Sequence, residues 1–400
     1  MNKRIKTAEN RFKGVSVLIF GAGGRQSLPM CRGFYNLGCK VTVYCKSRWD
    51  TGYLTKFAHE RILFQSETTG DESFLENGLK IIAKGNYDLV LPLGDSAAMF
   101  LSRHKEEILP YAAVAVNDWE IFQKIIDKNN TMRICEEHGI PAPRTVFTGD
   151  PVSEIRRLGL SYPVVVKPRT GVGSIGFNIV QNEESLISLL RDYNNENGPL
   201  LVQEYIEQGG ASQYGAEIFR DRNGVIRAAL VAEVARWYPI DGGSRLLSIS
   251  IHNQEIVDIC VKLVEALDWN GYANIDLVWD DREKKAKILE LNGRTGASVK
   301  LDFLAGVDIA RLILENELGY EVSDMMEYED GKQISCFLVD CLWFKDAKNR
   351  FKSRPSWFAR WKIKDVVFSW DDLKPTAGFL VTSLHSFRDS MKKRKRYRMD

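Results

Sequence analysis

The sequence predicts an α/β domain, then a larger α+β region, then a short Trp-rich basic extension. Three observations carry this expectation. A buried-strand run, 15–20, ends in Gly21-Ala22-Gly23-Gly24 and is followed by a helical stretch to Leu37 and a second strand, 40–44. That is the β–loop–α–β opening of a doubly wound sheet. From residue 200 onward, strand-like apolar runs dominate, at 200–204, 213–219, 225–251, 273–279 and 286–291. Four of the nine Trp fall within 343–370, and six of the last ten residues are Lys or Arg.

Composition bounds the classes. A chain of 400 residues exceeds one small core, so two or three domains are expected. Hydrophobic content of 44% and charged content of 27% are those of a soluble globular protein. A net charge of +2 gives no global field for nucleic acid. The seven cysteines include no CxxC pair, which points to reduced thiols in the cytosol rather than a disulfide frame or a zinc site. The N-terminal stretch lacks the apolar segment of a secretory signal, and no apolar run approaches the length of a membrane span.

Taken in order, the first unit holds G-x-G-G without an acidic residue closing the second strand, which disfavours a dinucleotide site. Residues 72–84 read as helix and 88–93 as a buried strand running into Gly94-Asp95-Ser96, which reads best as a helix cap. A strand at 114–116 closes the sheet, and 118–140 reads as one helix carrying Lys128 and ending at Gly139 and Pro141. The stretch VVVKPRTGVGSIGFNIV at 164–180 is strand, glycine-rich loop, strand, so it is not a Walker loop. Its backbone N–H groups, with Lys167, Arg169 and Ser174, can still close over phosphates.

After a helix at 182–193, the strand 200–204 ends in a polar connector, and Gln213 opens another strand. An exposed strand end can meet an adenine edge, with Glu204, Glu207 and Gln213 placed for a ribose. Residues 253–267 read as an amphipathic helix, and a further helix runs from about 307 to 318.

The stretch 271–300 reads as an antiparallel hairpin folding near Glu283. Strand alternation puts Asn274, Asp276 and Val278 on one face, and Ile288, Glu290 and Asn292 on one face of the partner strand, with Asp276 opposite Glu290. Asp276, Glu290 and Asn292 offer the hard oxygen ligands that magnesium takes. Arg294 follows two positions on. On spacing alone, a solvated hairpin rim remains the alternative.

In this order the segments resemble the ATP-grasp superfamily, and within it the carbamoyl-phosphate-synthase-like members, over roughly 15–320. The matching pieces are DKNNTMRICEEHGIPAP, YPVVVKPRTGVGSIGF, LVQEYI and NIDLVW…ILELNGRTGAS…LAGVDIARL. The resemblance implies a pre-ATP-grasp Rossmann-like domain over 1–117, a small lobe or lid over 118–199, a large lobe over 200–325 and an extension over 326–400. It implies ATP phosphates on Lys128 and Lys167, a lid at Gly171, Gly173, Ser174 and Gly176, and adenine at Glu204, Tyr205 and Ile206. Ribose would lie at Glu207 or Gln213, and magnesium (or manganese) on Asp276, Glu290 and Asn292. Arg294 would sit at the transferred phosphoryl group. Apart from the resemblance, Arg236 and Arg245, which flank the loop containing residues 241–244, are expected to face an acceptor carboxylate.

Three positions depart from the family pattern. Gln213 stands where Glu is usual, and Gly293 where Pro is usual, which suggests a loosened turn. Asp276 stands where carbamoyl-phosphate synthases have Gln, which favours a carboxylate ligase.

The implied activity is an ADP-forming ligase joining a carboxylate to an amine or thiol through an acyl phosphate. The alternatives are an enzyme phosphorylating bicarbonate or carbamate, and a nucleotide-binding scaffold. FSWDDLKPTAGFL, at 368–380, is similar to the ending of ATP-grasp proteins of surface-polysaccharide pathways. Expected partners are small carboxylates and amines, a second copy of the chain, and an acidic membrane surface for the basic tail. The expected location is cytoplasmic, with membrane-peripheral association as the finer expectation.

Overall fold

The computed structural model describes residues 11–64, 71–147, 149–171, 176–193, 198–207, 213–240 and 243–383. The N-terminal part is a parallel sheet of β1 (Ser16–Phe20), β2 (Lys40–Cys45), β3 (Glu60–Leu63), β4 (Leu89–Pro92) and β5 (Ala113–Val114), in the order β3-β2-β1-β4-β5. Helices α1 (Ser27–Asn36), α2 (Thr51–Leu54), α3 (Asp71–Lys84), α4 (Asp95–Arg103) and α5 (Lys105–Ile108) connect the strands. β1 and β4 are buried along nearly their whole length, as parallel strands covered on both faces must be. The order reverses between β1 and β4, so the glycine loop at 21–24 and Gly94-Asp95 both open at the sheet's switch point, where ligands of such sheets bind.

The expected single helix over 118–140 is two, α6 (Trp119–Ile126) and α7 (Lys128–Glu137). Asp127 breaks it with extended backbone, and its carboxylate accepts from the Asn129 N–H as an N-cap. Lys128 is therefore the first residue of a helix, not a mid-helix surface residue.

A second, antiparallel sheet contains β6 (Thr145–Val146), β7 (Val164–Pro168), β8 (Asn178–Val180) and β9 (Leu200–Glu204), in the order β6-β9-β7-β8. It is backed by α8 (Pro151–Arg157) and α9 (Glu183–Asp192), with its own small core around Ile155, Val164, Leu186 and Val202. The glycine-rich segment joins β7 to β8. Because β9 pairs with β6 and β7, the expected boundary at 199/200 cuts through this sheet; the polar run after Glu204 is where the chain leaves it.

The third sheet has seven strands: β10 (Gln213–Arg220), β11 (Ile226–Tyr238), β12 (Ser244–Ile251), β13 (Gly271–Asp280), β14 (Lys285–Asn292), β15 (Gln333–Ser335) and β16 (Lys364–Asp365). Their order is β14-β13-β10-β11-β12-β15-β16. Helix α10 (Gln254–Ala266) covers one face with the expected stripe of Ile256, Ile259, Cys260 and Leu263. Helices α11 (Val299–Ala305) and α12 (Ile309–Glu317) follow the hairpin.

Residues 326–383 are not a separate appendage. They supply β15, β16 and α13 (Phe337–Asp346) and share a core with α1 and the large sheet. Further on, Asp371 pairs with Arg32, while Asp372 accepts from the Thr55 hydroxyl and the Lys56 N–H.

All seven cysteines are free thiols, six of them buried. Among the described residues, no helix is long and apolar enough to cross a membrane. The basic stretch at 391–400 lies outside the described residues.

Candidate active site

The β13–β14 hairpin sets the floor. Asp276 pairs directly with Glu290, and Asn274 with Asn292, as alternation predicts. The register then shifts: Leu277 faces Ile288, so Leu289 is an extra residue on β14. This bulge corrects the expected face. Ile288 turns into the core, and Lys287 instead joins the face of Asp276 and Glu290.

Two cations meet Glu290. Lys128 Nζ lies 3.5 Å from it and donates to the Gly171 carbonyl at 2.8 Å. Burial acts to raise the Glu290 carboxyl, but Lys128 and Lys167 outweigh it and hold it below its ordinary value. Lys167, at the end of β7, is pushed down to about 8, chiefly by burial. Its charge is thus undercompensated by the protein alone, the condition a phosphate would relieve.

Asp276 accepts from Arg245 Nε at 2.6 Å and from the Asn292 amide at 3.2 Å. Arg245 crosses β10 to reach it. A Cβ at Gly215 would come within 1.8 Å of its Nη1, so only glycine leaves the path open. The same guanidinium donates to Glu217 and to the Ile275 carbonyl. This corrects the expectation that Arg245 faces an acceptor carboxylate: its fork is committed to holding Asp276. Arg236 is corrected likewise. It is fully buried and donates to Asp340 and the Pro355 carbonyl. Arg169, expected on phosphate, pairs with Asp127 instead.

Arg294 donates to both oxygens of Asp95, at 3.1 Å each. Asp95 therefore does more than start α4. It brings the switch point of the first sheet to the mouth of the hairpin. Gly293, just before, is not loose. A Cβ there would come within 2.6 Å of the Trp269 ring and 2.7 Å of the Phe122 ring, so those rings fill the space that a side chain would take.

At the other end of the hairpin, Glu204 is buried and accepts from Arg144 Nε at 3.0 Å and from Lys287 Nζ at 2.7 Å. These cations outweigh the effect of burial and hold its carboxyl below the usual range. Carboxylates of Glu204, Asp280 and Glu283 lie within 4.8 Å of one another, a spacing that could suit a metal. The Lys287 ammonium occupies their midst, at 2.7, 3.0 and 2.7 Å, and answers the charge without one. Glu204 is thus an anchor between the small sheet and the hairpin. Beyond it, Tyr205 is half-buried, Ile206 buried and Glu207 exposed. Gln213 lies opposite Val278, on the face of Asp276. Gly171 and Gly176 both take positive φ at the edges of the loop; Gly173 and Ser174 lie outside the described residues.

The arrangement thus brings Lys128, Lys167, Asp276, Glu290, Asn292 and Arg294 to one cleft between the three sheets. Asp276, Glu290 and Asn292 supply oxygen donors that suit magnesium, and the two lysines suit phosphate.

A family model described as an ATP-grasp domain matches residues 125–298, which span all six of these residues. The chain carries an ATP-grasp domain. A D-aspartate ligase of Enterococcus faecium is 24% identical over 270 residues, 62% of this chain and 64% of that protein, so the match leaves over a third of the relative unspanned. The fold is similar to that of the biotin carboxylase domain of Hydrogenobacter thermophilus 2-oxoglutarate carboxylase, solved with MgADP and bicarbonate. Its TM-score is 0.67 at 17% identity, covering 80% of this chain and 73% of that one. An L-amino acid ligase from Bacillus licheniformis gives a TM-score of 0.59 at 18% identity, covering 76% and 74%.

Asp95, Lys287 and Glu217 were missed as site-shaping residues. A lone Lys inside the apolar run AKIL was the signal for Lys287, and the strand-to-helix junction was the signal for Asp95.

Proposed function

We propose that the chain is an ATP- and magnesium-dependent ligase that joins a carboxylate to an amine through an acyl phosphate. The observation that carries this reading is the cross-strand pair Asp276–Glu290 with Lys128 against Glu290 and the undercompensated Lys167 nearby. Asp276, Glu290 and Asn292 would hold the metal, which supplies neutralising charge for the phosphates. Lys128 and Lys167 bind phosphate oxygens, and the chain at 204–207 meets the base.

A carboxylate oxygen of the acceptor attacks the γ-phosphorus and ADP leaves. The amine then attacks the acyl carbon, phosphate leaves, and the amine gives up a proton. Arg294, oriented by Asp95, stabilises charge on the transferred group. No protein nucleophile is required; alignment and exclusion of water carry the chemistry.

The D-aspartate ligase and L-amino acid ligase relatives support an amino acid among the substrates. The dimer of the biotin carboxylase domain supports a homodimer, which light scattering tests.

The test of the ligase reading is ADP release over paired carboxylates and amines, with bicarbonate as a separate arm. Substrate-dependent ADP release that disappears in Glu290→Ala is expected. Release unchanged in that variant overturns the site, and release with bicarbonate alone replaces the carboxylate acceptor.

A further inference from the structure

Between Asp346 and Asp365 the chain carries seven Lys/Arg and no Asp/Glu, with Phe351, Trp357, Phe358 and Trp361 interleaved. Most of this run is displayed outward. Phe351, Phe358 and Trp361 are 70%, 59% and 78% exposed. Such exposure of large rings in a group is unusual for a free surface. The rings form a connected set: Phe344 packs edge-on to Phe351 and Phe358, and Trp357 lies tilted against Phe344.

The display is rigid. Trp357 Nε1 donates to the Asp340 carbonyl, Arg360 pairs with Asp340, and β16 joins the large sheet. Lys348, Lys352, Arg354, Lys362 and Lys364 are exposed and form no ion pair among the described residues. The nearby acids are already committed. Asp365 accepts from the Phe337, Val367 and Phe368 N–H groups, Asp371 pairs with Arg32, and Asp372 accepts from Thr55. Cations without carboxylates therefore surround exposed rings.

The face continues into a groove of about 970 Å³ between α1, α11 and the C-terminal segment. Leu28, Phe303, Leu304, Val367, Phe379 and Leu380 line its apolar part, and Lys300, Arg360 and Lys364 contribute cations to its lining.

We propose that this face, residues 347–364 with the adjoining groove, docks on an anionic lipid bilayer. Unpaired lysines meet the negative surface potential, and Trp and Phe rings settle at the headgroup level. The groove's apolar lining includes Leu28, Leu304, Val367 and Leu380, with exposed Leu373 beside it, an aliphatic surface that acyl chains fill and a nucleic acid would leave unused. That favours lipid over a nucleic acid. The proposal does not rest on the ligase reading, since none of these residues lies in the candidate active site.

The experiment is co-sedimentation of the full chain with sucrose-loaded vesicles of phosphatidylcholine, with or without about one quarter phosphatidylglycerol. Binding to the anionic vesicles is expected to exceed binding to neutral ones by at least about tenfold, and to fall when salt is raised from about 0.05 M to about 0.5 M. Lys352→Glu/Lys362→Glu and Phe358→Ala/Trp361→Ala should each weaken it on the order of tenfold, with the melting temperature and ATP binding unchanged. Equal binding to neutral vesicles overturns the proposal. So does wild-type binding in both double variants, or single-stranded DNA that the chain holds more tightly than the anionic vesicles.

Discussion

Replacing Lys167 by methionine should make the protein more stable and poor at holding ATP. Burial lowers the Lys167 ammonium from 10.5 to about 8. At about 1.36 kcal/mol per unit, the folded state carries roughly 3 kcal/mol of unfavourable charge burial near neutral pH. Methionine keeps the stem and removes the charge. Glu290 loses one of its cations in the exchange, so the gain is at most about 3 kcal/mol.

The sign with pH is definite. The folded pKa lies below the unfolded one, so between about 8 and 10.5 the unfolded chain binds the extra proton and wild-type stability rises with pH. The advantage of the variant is full below about 8 and vanishes toward 10.5. Loss of one charge-assisted contact to phosphate weakens ATP binding about 10- to 100-fold. Urea unfolding near neutral pH and again at about pH 9.5, with calorimetric titration of MgATP, reads both effects. A variant less stable than wild type near neutral pH, or one that binds ATP as wild type does, refutes the reasoning.

Lys287→Met should lower the urea-unfolding free energy by about 1–3 kcal/mol, because it removes the buried cation shared by Glu204 and Asp280 and leaves them only the more exposed Arg144 and Arg282. Arg236→Met should cost about 1–3 kcal/mol, because the buried Asp340 then keeps only the Arg360 cation and the Ser335 hydroxyl, and Arg236→Met/Asp340→Leu should recover part of it; equal losses in the single and double variants would contradict this account. Gly293→Ala should cost about 1–3 kcal/mol, read as a lower thermal midpoint, since the added Cβ pushes on the Trp269 and Phe122 rings.

Much of this fold is legible in the sequence because periodicity reports burial directly. The runs at 15–20, 40–44 and 88–93 became β1, β2 and β4, and the stripe of Ile256, Ile259, Cys260 and Leu263 became the core face of α10. The pairing of Asp276 with Glu290 was legible for the same reason. What was not legible depends on contacts distant in sequence. Asp95 finds Arg294 across 199 residues, and Arg236 finds Asp340 across 104, and no local pattern announces either. Arg245 looked like a free cation because the carboxylates that claim it come from two other strands. Local chemistry was also misjudged at Asp127, where a side-chain cap divided a helix that the apolar pattern ran straight through.

The extra residue at Leu289 has a consequence for how this hairpin can vary. The connector at 281–284 can lengthen or shorten without moving either strand's contacts. Inside 285–292 the count is fixed. Losing the bulge would turn either Lys287 or Glu290 away from the cleft, because the two lie three apart and share a face only through that insertion. Lys287 braces the end of the hairpin at Glu204, and Glu290 meets the lysines at the other. One unpaired leucine thus works as a spacer that keeps both ends of the cleft in phase.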